Sequence, residues 1–169
     1  MGRRFAVASG LVLVAAALSG CTPTVHMEPA DDSNNPLCAE VVVNLENLRS
    51  LAGQDRIWTD AQGTAAWGAS GAAILLTCGL DKPAPTSELQ CVTLEGVDWL
   101  VDASETPKLR LTTYGREPAV QLYVDTEVVS SNDVISTRGL VGAISVIPVD
   151  GACTAPDELD EDAQQLLDG

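Results

Sequence analysis

Five cysteines carry the most reactive side chains of this 169-residue chain, and their positions divide them into one and four. Cys21 closes the string Leu18-Ser19-Gly20-Cys21, behind Arg3-Arg4 and the apolar run Phe5 to Leu18. A basic start, a short apolar stretch and small residues before a cut site make a secretory signal. A membrane-spanning helix needs about 20 apolar residues, more than this run offers. Export places Cys38, Cys78, Cys91 and Cys153 in an oxidising compartment, where an even number points to two disulfides. Three connectivities are open. The expected one is Cys78–Cys91, stapling neighbouring strands across a proline-bearing loop, with Cys38–Cys153 tying the start of the domain to its end. A four-cysteine zinc site needs pairs two to four residues apart, and none exists here.

Other side chains offer less. Nucleophilic catalysis by serine or cysteine needs a histidine held beside the nucleophile. The single histidine, His26, lies in a polar, proline-bearing stretch. Gly68-Ala69-Ser70-Gly71 lacks the spacing of a nucleophile elbow and reads as a loop. Neither a Ser-x-x-Lys nor a phosphate-binding glycine loop is present, and the acidic tail does not match a calcium loop. No cofactor or metal is therefore expected. Asp98 and Asp102 share one face of a strand, but four residues separate them by about 13 Å, too far for a pair of catalytic carboxylates. Arg116, after Tyr114-Gly115, either clamps a carboxylate such as Asp98 or binds an anionic group in bidentate fashion. Trp58, Trp67 and Trp99 can pack a core or stack on a ligand.

The elements that position these residues follow from spacing. Asn35 caps and Pro36 opens a helix whose stripe is Leu37, Val41, Leu45, Leu48 and Ala52, with Gly53 past its end. Strands are expected over 72–78, 89–94, 97–101, 109–114 and 119–129, with Glu95-Gly96 as a hairpin turn or a bulge between the second and third. In the third, Val97, Trp99 and Val101 face one way and Asp98, Leu100 and Asp102 the other. In the fifth, Val120, Leu122 and Val124 alternate with Gln121, Tyr123 and Asp125. Half-buried antiparallel strands have this pattern. A second helix is expected through Val134, Ile135, Arg138, Val141 and Ile144, or else a last strand over 142–149.

Charge narrows the partners. The net charge of −15 becomes −17 once Arg3 and Arg4 leave with the signal. Nucleic acid is excluded as a partner, because phosphate binding needs basic patches. The same sign rules out an electrostatic grip on anionic lipid. From Pro156 the tail carries Asp157, Glu158, Asp160, Glu161, Asp162 and Asp168 and no base, the composition of a disordered segment.

The string ending in Cys21 resembles the lipobox of bacterial lipoproteins. That resemblance implies cleavage between Gly20 and Cys21, a thioether-linked diacylglycerol on Cys21 and an added N-acyl chain. Several further strings, in order, are Ala65-Ala66-Trp67-Gly68, Cys78-Gly79, Cys91, Gly96-Val97-Asp98-Trp99 and Thr113-Tyr114-Gly115-Arg116, followed by Pro118-Ala119-Val120. Behind a lipobox, this set resembles a family of actinobacterial envelope proteins catalogued as domain of unknown function 3515. The resemblance covers roughly residues 38–124 and the signal. It implies a membrane-attached protein, supplies no biochemical role and transfers no catalytic residue.

The expected organisation is a signal over 1–20, a tether over 21–35 from lipidated Cys21, one α+β domain over 36–153 and an acidic tail over 154–169. The domain should hold an antiparallel sheet of about five strands, one or two covering helices and two disulfides. The expected role is a non-enzymatic module at the outer face of the cytoplasmic membrane, binding an envelope protein or a small ligand. Trp67, Asp98, Trp99, Tyr114 and Arg116 would form its binding surface. The alternatives are a carboxylate-dependent hydrolase of envelope polymers and an assembly factor of a membrane complex.

Overall fold

The computed structural model of this chain describes residues 24–69 and 72–153. The signal segment, Cys21 and the acidic tail lie outside the described residues. Twelve elements follow one another: β1 (Thr24–Val25), α1 (Pro36–Leu45), β2 (Ser50–Leu51), β3 (Gln54–Thr59), β4 (Thr64–Trp67), β5 (Ile74–Leu80), β6 (Gln90–Leu94), β7 (Val97–Asp102), β8 (Lys108–Thr113), β9 (Ala119–Asp125), α2 (Ser131–Ile135) and α3 (Arg138–Ile144).

The strands form one nine-stranded sheet in the order β1-β3-β4-β5-β9-β8-β7-β6, with β2 added on β3. β1 runs parallel to β3 and the other pairs are antiparallel. The expected sheet of about five antiparallel strands is therefore too small by its whole first half. β5 to β9 are the five expected strands. The missed strands are short or carry weak strand formers, such as Ala65 and Ala66 in β4.

Asn35 caps α1 as expected, its side-chain oxygen accepting the Leu37 N–H at 3.0 Å, and Pro36 takes the first helical position. Cys38, Val41 and Leu45 make its buried stripe. The helix stops at Leu45, earlier than its spacing predicts. There the Arg56 guanidinium donates to the Leu45 carbonyl and satisfies one of the groups left open at a helix end. Ala52 and Gly53, both at positive φ, then make the two-residue turn between β2 and β3. Leu48 and Ala52, the last two positions of the expected stripe, lie beyond the helix and still pack against the same core. The expected second helix is broken into α2 and α3 at Ser136-Thr137, and 142–149 does not form a strand apart from a bridge between Val149 and Arg116.

α1 packs on α3 and against β4 and β5. Ile74, Leu76, Leu111, Val120, Leu122, Val124, Val97 and Trp99 of the sheet meet Val41, Leu45, Val134, Leu140 and Ile144 of the helices in one core. The alternation predicted for β7 and β9 holds on this side. The opposite face carries Gln121 and Tyr123 from β9 and Arg110 and Thr112 from β8, paired in register.

The expected tether is fixed well before residue 35. Thr24 and Val25 pair with Trp58 and Thr59. Asp32 N–H donates to the Gly79 carbonyl at 3.1 Å, and Ser33 is buried. Gly79, at φ +107, permits that approach, since a Cβ there would stand 2.5 Å from the Ser33 nitrogen. Backbone pairing overrides polar composition in this segment.

Both expected disulfide pairings are replaced. Cys38 in α1 bonds Cys78 in β5, and Cys91 in β6 bonds Cys153. Cys78 is on the face of β5 that α1 covers, beside Ile74 and Leu76 at period two, and is buried with them. Cys91 is on an outer strand four positions away in the sheet order, out of reach of Cys78.

Candidate functional site

The five residues expected to form a binding surface fall into two places, and neither is an open one. Trp67 and Trp99 are both 0% exposed and belong to the core. The Trp67 indole donates to the Leu48 carbonyl at 3.1 Å, with the Arg56 guanidinium 5.6 Å from its ring centre. Trp99 Nε1 has no acceptor among the described residues. Arg116 is 4% exposed. A surface built from these three side chains is excluded by their burial.

Asp98, Tyr114 and Arg116 do come together, at the end of the sheet where β7 and β8 meet the turn before β9. Tyr114 N–H donates to the Asp98 carbonyl at 2.8 Å. The Asp98 carboxylate accepts the Thr93 hydroxyl at 2.5 Å and the Cys153 N–H at 2.9 Å. Arg116 donates to the Ile147 carbonyl rather than to the expected carboxylate. Burial lowers the Arg116 pKa from its ordinary value, and the charge of Asp98 pulls it back up. Asp150 N–H donates to the Gly115 carbonyl at 2.6 Å, and Lys82 Nζ is 2.6 Å from the Asp150 carboxylate.

The bonds to Ile147, Asp150 and Cys153 hold one object, the segment from Ile147 to Cys153. It leaves α3 and crosses the sheet end over Gly115. It is then fixed by the Cys91–Cys153 bond. The two strings around Asp98 and Arg116 therefore form a clasp for this C-terminal strap. Sequence reading missed that role because the strap has no periodic pattern and its partners are 31 and 55 residues away.

The open site is elsewhere. A groove of about 920 Å³ runs between α1 and β3 and is closed at one end by the turn before β4. Val42, Val43, Ile57 and Trp58 supply its apolar surface. Trp58 is 70% exposed, the most of any large apolar side chain described, and Val43 is 59% exposed. Glu46, Arg49, Asp55 and Arg56 also line it, two acids against two bases. Burial lowers the Arg56 pKa, while Glu46 raises it. The sequence names Trp58 as a possible stacking residue, but only the pairing of β3 shows that its ring is left uncovered.

A second, smaller hollow of about 250 Å³ lies on the opposite sheet face, beside Met27, Leu75, Arg110 and Tyr123. Its polar groups satisfy one another. The Arg110 guanidinium donates to Glu105 at 2.6 Å, and the Tyr123 hydroxyl donates to the same carboxylate at 2.9 Å. Arg110 holds Glu105 below the usual carboxylate range, and Glu105 in turn raises the Tyr123 pKa. Asp102 accepts the Ser104 N–H at 2.9 Å. No group of three or more metal-ligating side chains occurs among the described residues.

Fold and clasp define a class: a mostly-sheet domain with helices on one face, two disulfides and a strapped C-terminal segment. Within it, the chain belongs to the family described as protein of unknown function DUF3515, whose model matches residues 5–147. The match spans the groove and the clasp strings and stops short of Cys153. No curated protein and no solved structure matches the chain.

Proposed function

We propose that this protein is a non-enzymatic interaction module, anchored by lipid on Cys21 at the outer face of the cytoplasmic membrane, and that it meets its partner at the α1–β3 groove. The observation that carries this reading is the uncovered apolar rim of that groove, Trp58 and Val43. Exposed apolar side chains gathered at a concave site favour association, and tryptophan is enriched among the residues that dominate it. The engaged state of the carboxylates favours binding over hydrolysis. Asp98 is taken up by the strap, and Glu105 by Arg110 and Tyr123.

The test is a photo-crosslinking side chain at Val43 in the exporting cell, with the same group at exposed Thr93 on the far edge strand as control. The expected result is a defined adduct, protein or lipid, at position 43 and none at 93. The same membrane-extracted sample, by intact mass, should lack residues 1–20 and carry acyl mass on Cys21. Equal labelling at both positions overturns the groove, and an unmodified Met1 overturns the anchor.

A further inference from the structure

The groove is joined to the anchor by a very short piece of chain. Cys21 is three residues before Thr24, the first residue of β1. Three residues span at most about 11 Å when fully extended. Thr24 pairs directly with Trp58, and neighbouring strands are about 4.8 Å apart. The Trp58 backbone therefore stands within about 16 Å of the Cys21 backbone, whatever path the chain takes between. β1 runs parallel to β3, so the end through which it continues to Cys21 faces the Arg56 half of that strand.

We infer that the occupant of the groove's Trp58 rim is the outer leaflet of the bilayer that holds Cys21. This rests on the lipid anchor proposed above. Three observations carry it. The leash is too short to lift the Trp58 edge far from the headgroups, whose layer with the hydrocarbon core makes a bilayer about 40–45 Å thick. The exposed rim residues are an indole and an aliphatic side chain, and tryptophan settles at the boundary between headgroup and hydrocarbon. The charges lining the groove balance, whereas the whole chain carries −15. An acidic protein can approach an anionic leaflet only through a face that is locally neutral. Trp58 then works as a second, non-covalent contact that fixes the domain's orientation, with α1 and β3 toward the lipid and the strapped sheet end outward.

The chain is well arranged for the measurement. Of its three tryptophans, Trp67 and Trp99 are fully buried, so a quencher that touches the surface reports Trp58. The acylated mature protein is reconstituted in vesicles of phosphatidylcholine with phosphatidylglycerol. Its fluorescence is read against iodide in the water and against brominated phosphatidylcholine in the leaflet. The expected result is an emission loss of about twofold or more from the brominated lipid, absent in Trp58→Phe, with little loss to iodide. Val43→Glu, on the same rim, should reduce the brominated-lipid effect while the protein stays on the vesicle.

Quenching of Trp58 by iodide and not by brominated lipid, with acyl mass on Cys21, overturns the inference and leaves the anchor standing. Shielding from both quenchers overturns it too, in favour of a protein or a second copy over the groove. Absence of acyl mass on Cys21 overturns the anchor and the inference together.

Discussion

Gly115 lies against Gly151 so closely that a Cβ on Gly115 would stand 2.2 Å from the Gly151 carbonyl oxygen. Gly115 is also at φ +67, a region that costs other residues about 1–2 kcal/mol. Two penalties therefore act at one position, and Gly96 separates them. It sits at φ +77 with nothing within 4 Å of its Cβ site. Gly96→Ala should cost about 1–2 kcal/mol and Gly115→Ala at least about 1 kcal/mol more. Urea unfolding under oxidising conditions gives both values. Equal costs would mean that the strap yields freely and that the clasp is weak.

The same strap gives the covalent prediction. Non-reducing peptide mapping should recover Cys38 linked to Cys78 and Cys91 linked to Cys153. The two bonds close segments separated by 40 and 62 residues. By loop entropy each constrains the unfolded chain by about 4 kcal/mol. Their structural effects differ. Cys38–Cys78 joins a helix to the centre of the core, so Cys38→Ala with Cys78→Ala should lower the stability of the whole domain. Replacing Cys91 and Cys153 by Ala should first raise amide exchange between residues 147 and 153. Global loss without local release in that second variant would count against the strap.

Arg116→Met removes the guanidinium that donates to the Ile147 carbonyl and leaves a buried acceptor open. The expected cost is about 2–3 kcal/mol in denaturant unfolding. Vesicle association of the acylated protein should be unchanged, because Arg116 is distant in the sheet order from the α1–β3 groove. If membrane association weakened at unchanged stability, the arginine would belong to a binding site after all.

The part of the fold that repeats was legible in the sequence. β7 and β9 alternate in sequence, and their inward residues Val97, Trp99, Val120, Leu122 and Val124 are buried, with Leu100 on the other face of β7 buried as well. The α1 start was legible because Asn35 and Pro36 are local signals that need no tertiary partner. What escaped depends on distant backbone. β1 exists because β3 offers it an edge, and residues 24–35 have no apolar period of their own. The disulfide pairing depends on sheet order, which places β9 rather than β6 beside β5. For the site, residue type gave tryptophan as a candidate, but all three indoles look alike in the sequence. Only the helix cover separates buried Trp67 and Trp99 from exposed Trp58.

The two buried indoles allow a comparison of one hydrogen bond. Trp67 Nε1 donates to the Leu48 carbonyl, whereas Trp99 Nε1 has no acceptor among the described residues. Replacement by Phe removes similar volume at each site. Trp67→Phe also leaves the Leu48 carbonyl unpaired, and Trp99→Phe relieves an unpaired donor. Trp67→Phe should therefore be the more destabilising by about 1–3 kcal/mol in thermal or urea unfolding. An equal cost would show that Trp99 Nε1 is satisfied in solution.

Asp60 gives a pH dependence with a definite sign. Its carboxylate accepts the Met27 N–H at 3.0 Å and pairs with His26 Nδ1, latching the residues after β1 onto the end of β3. The Met27 bond is the main reason that Asp60 stays ionised to lower pH than a free carboxylate. A depressed folded-state pKa means that the contribution is complete above the unfolded value, about 4, and is lost as the pH falls through the folded one. Acid should therefore release this segment while the disulfide-tied core persists. Amide exchange at Val25 and Met27, corrected for its intrinsic pH dependence, should accelerate as the pH drops from about 5 toward 2. In Asp60→Asn that dependence should vanish, since the amide oxygen keeps accepting but no longer titrates. Flat protection in the unmodified protein would remove Asp60 from this role. The consequence reaches the membrane: with β1 released back to the Asp32–Gly79 contact, eleven residues rather than three separate Cys21 from the fixed domain. A leash of that length spans up to about 40 Å, enough to lift Trp58 out of the headgroup layer. The brominated-lipid quenching of Trp58 should accordingly fall over the same acid range, and should not fall in Asp60→Asn.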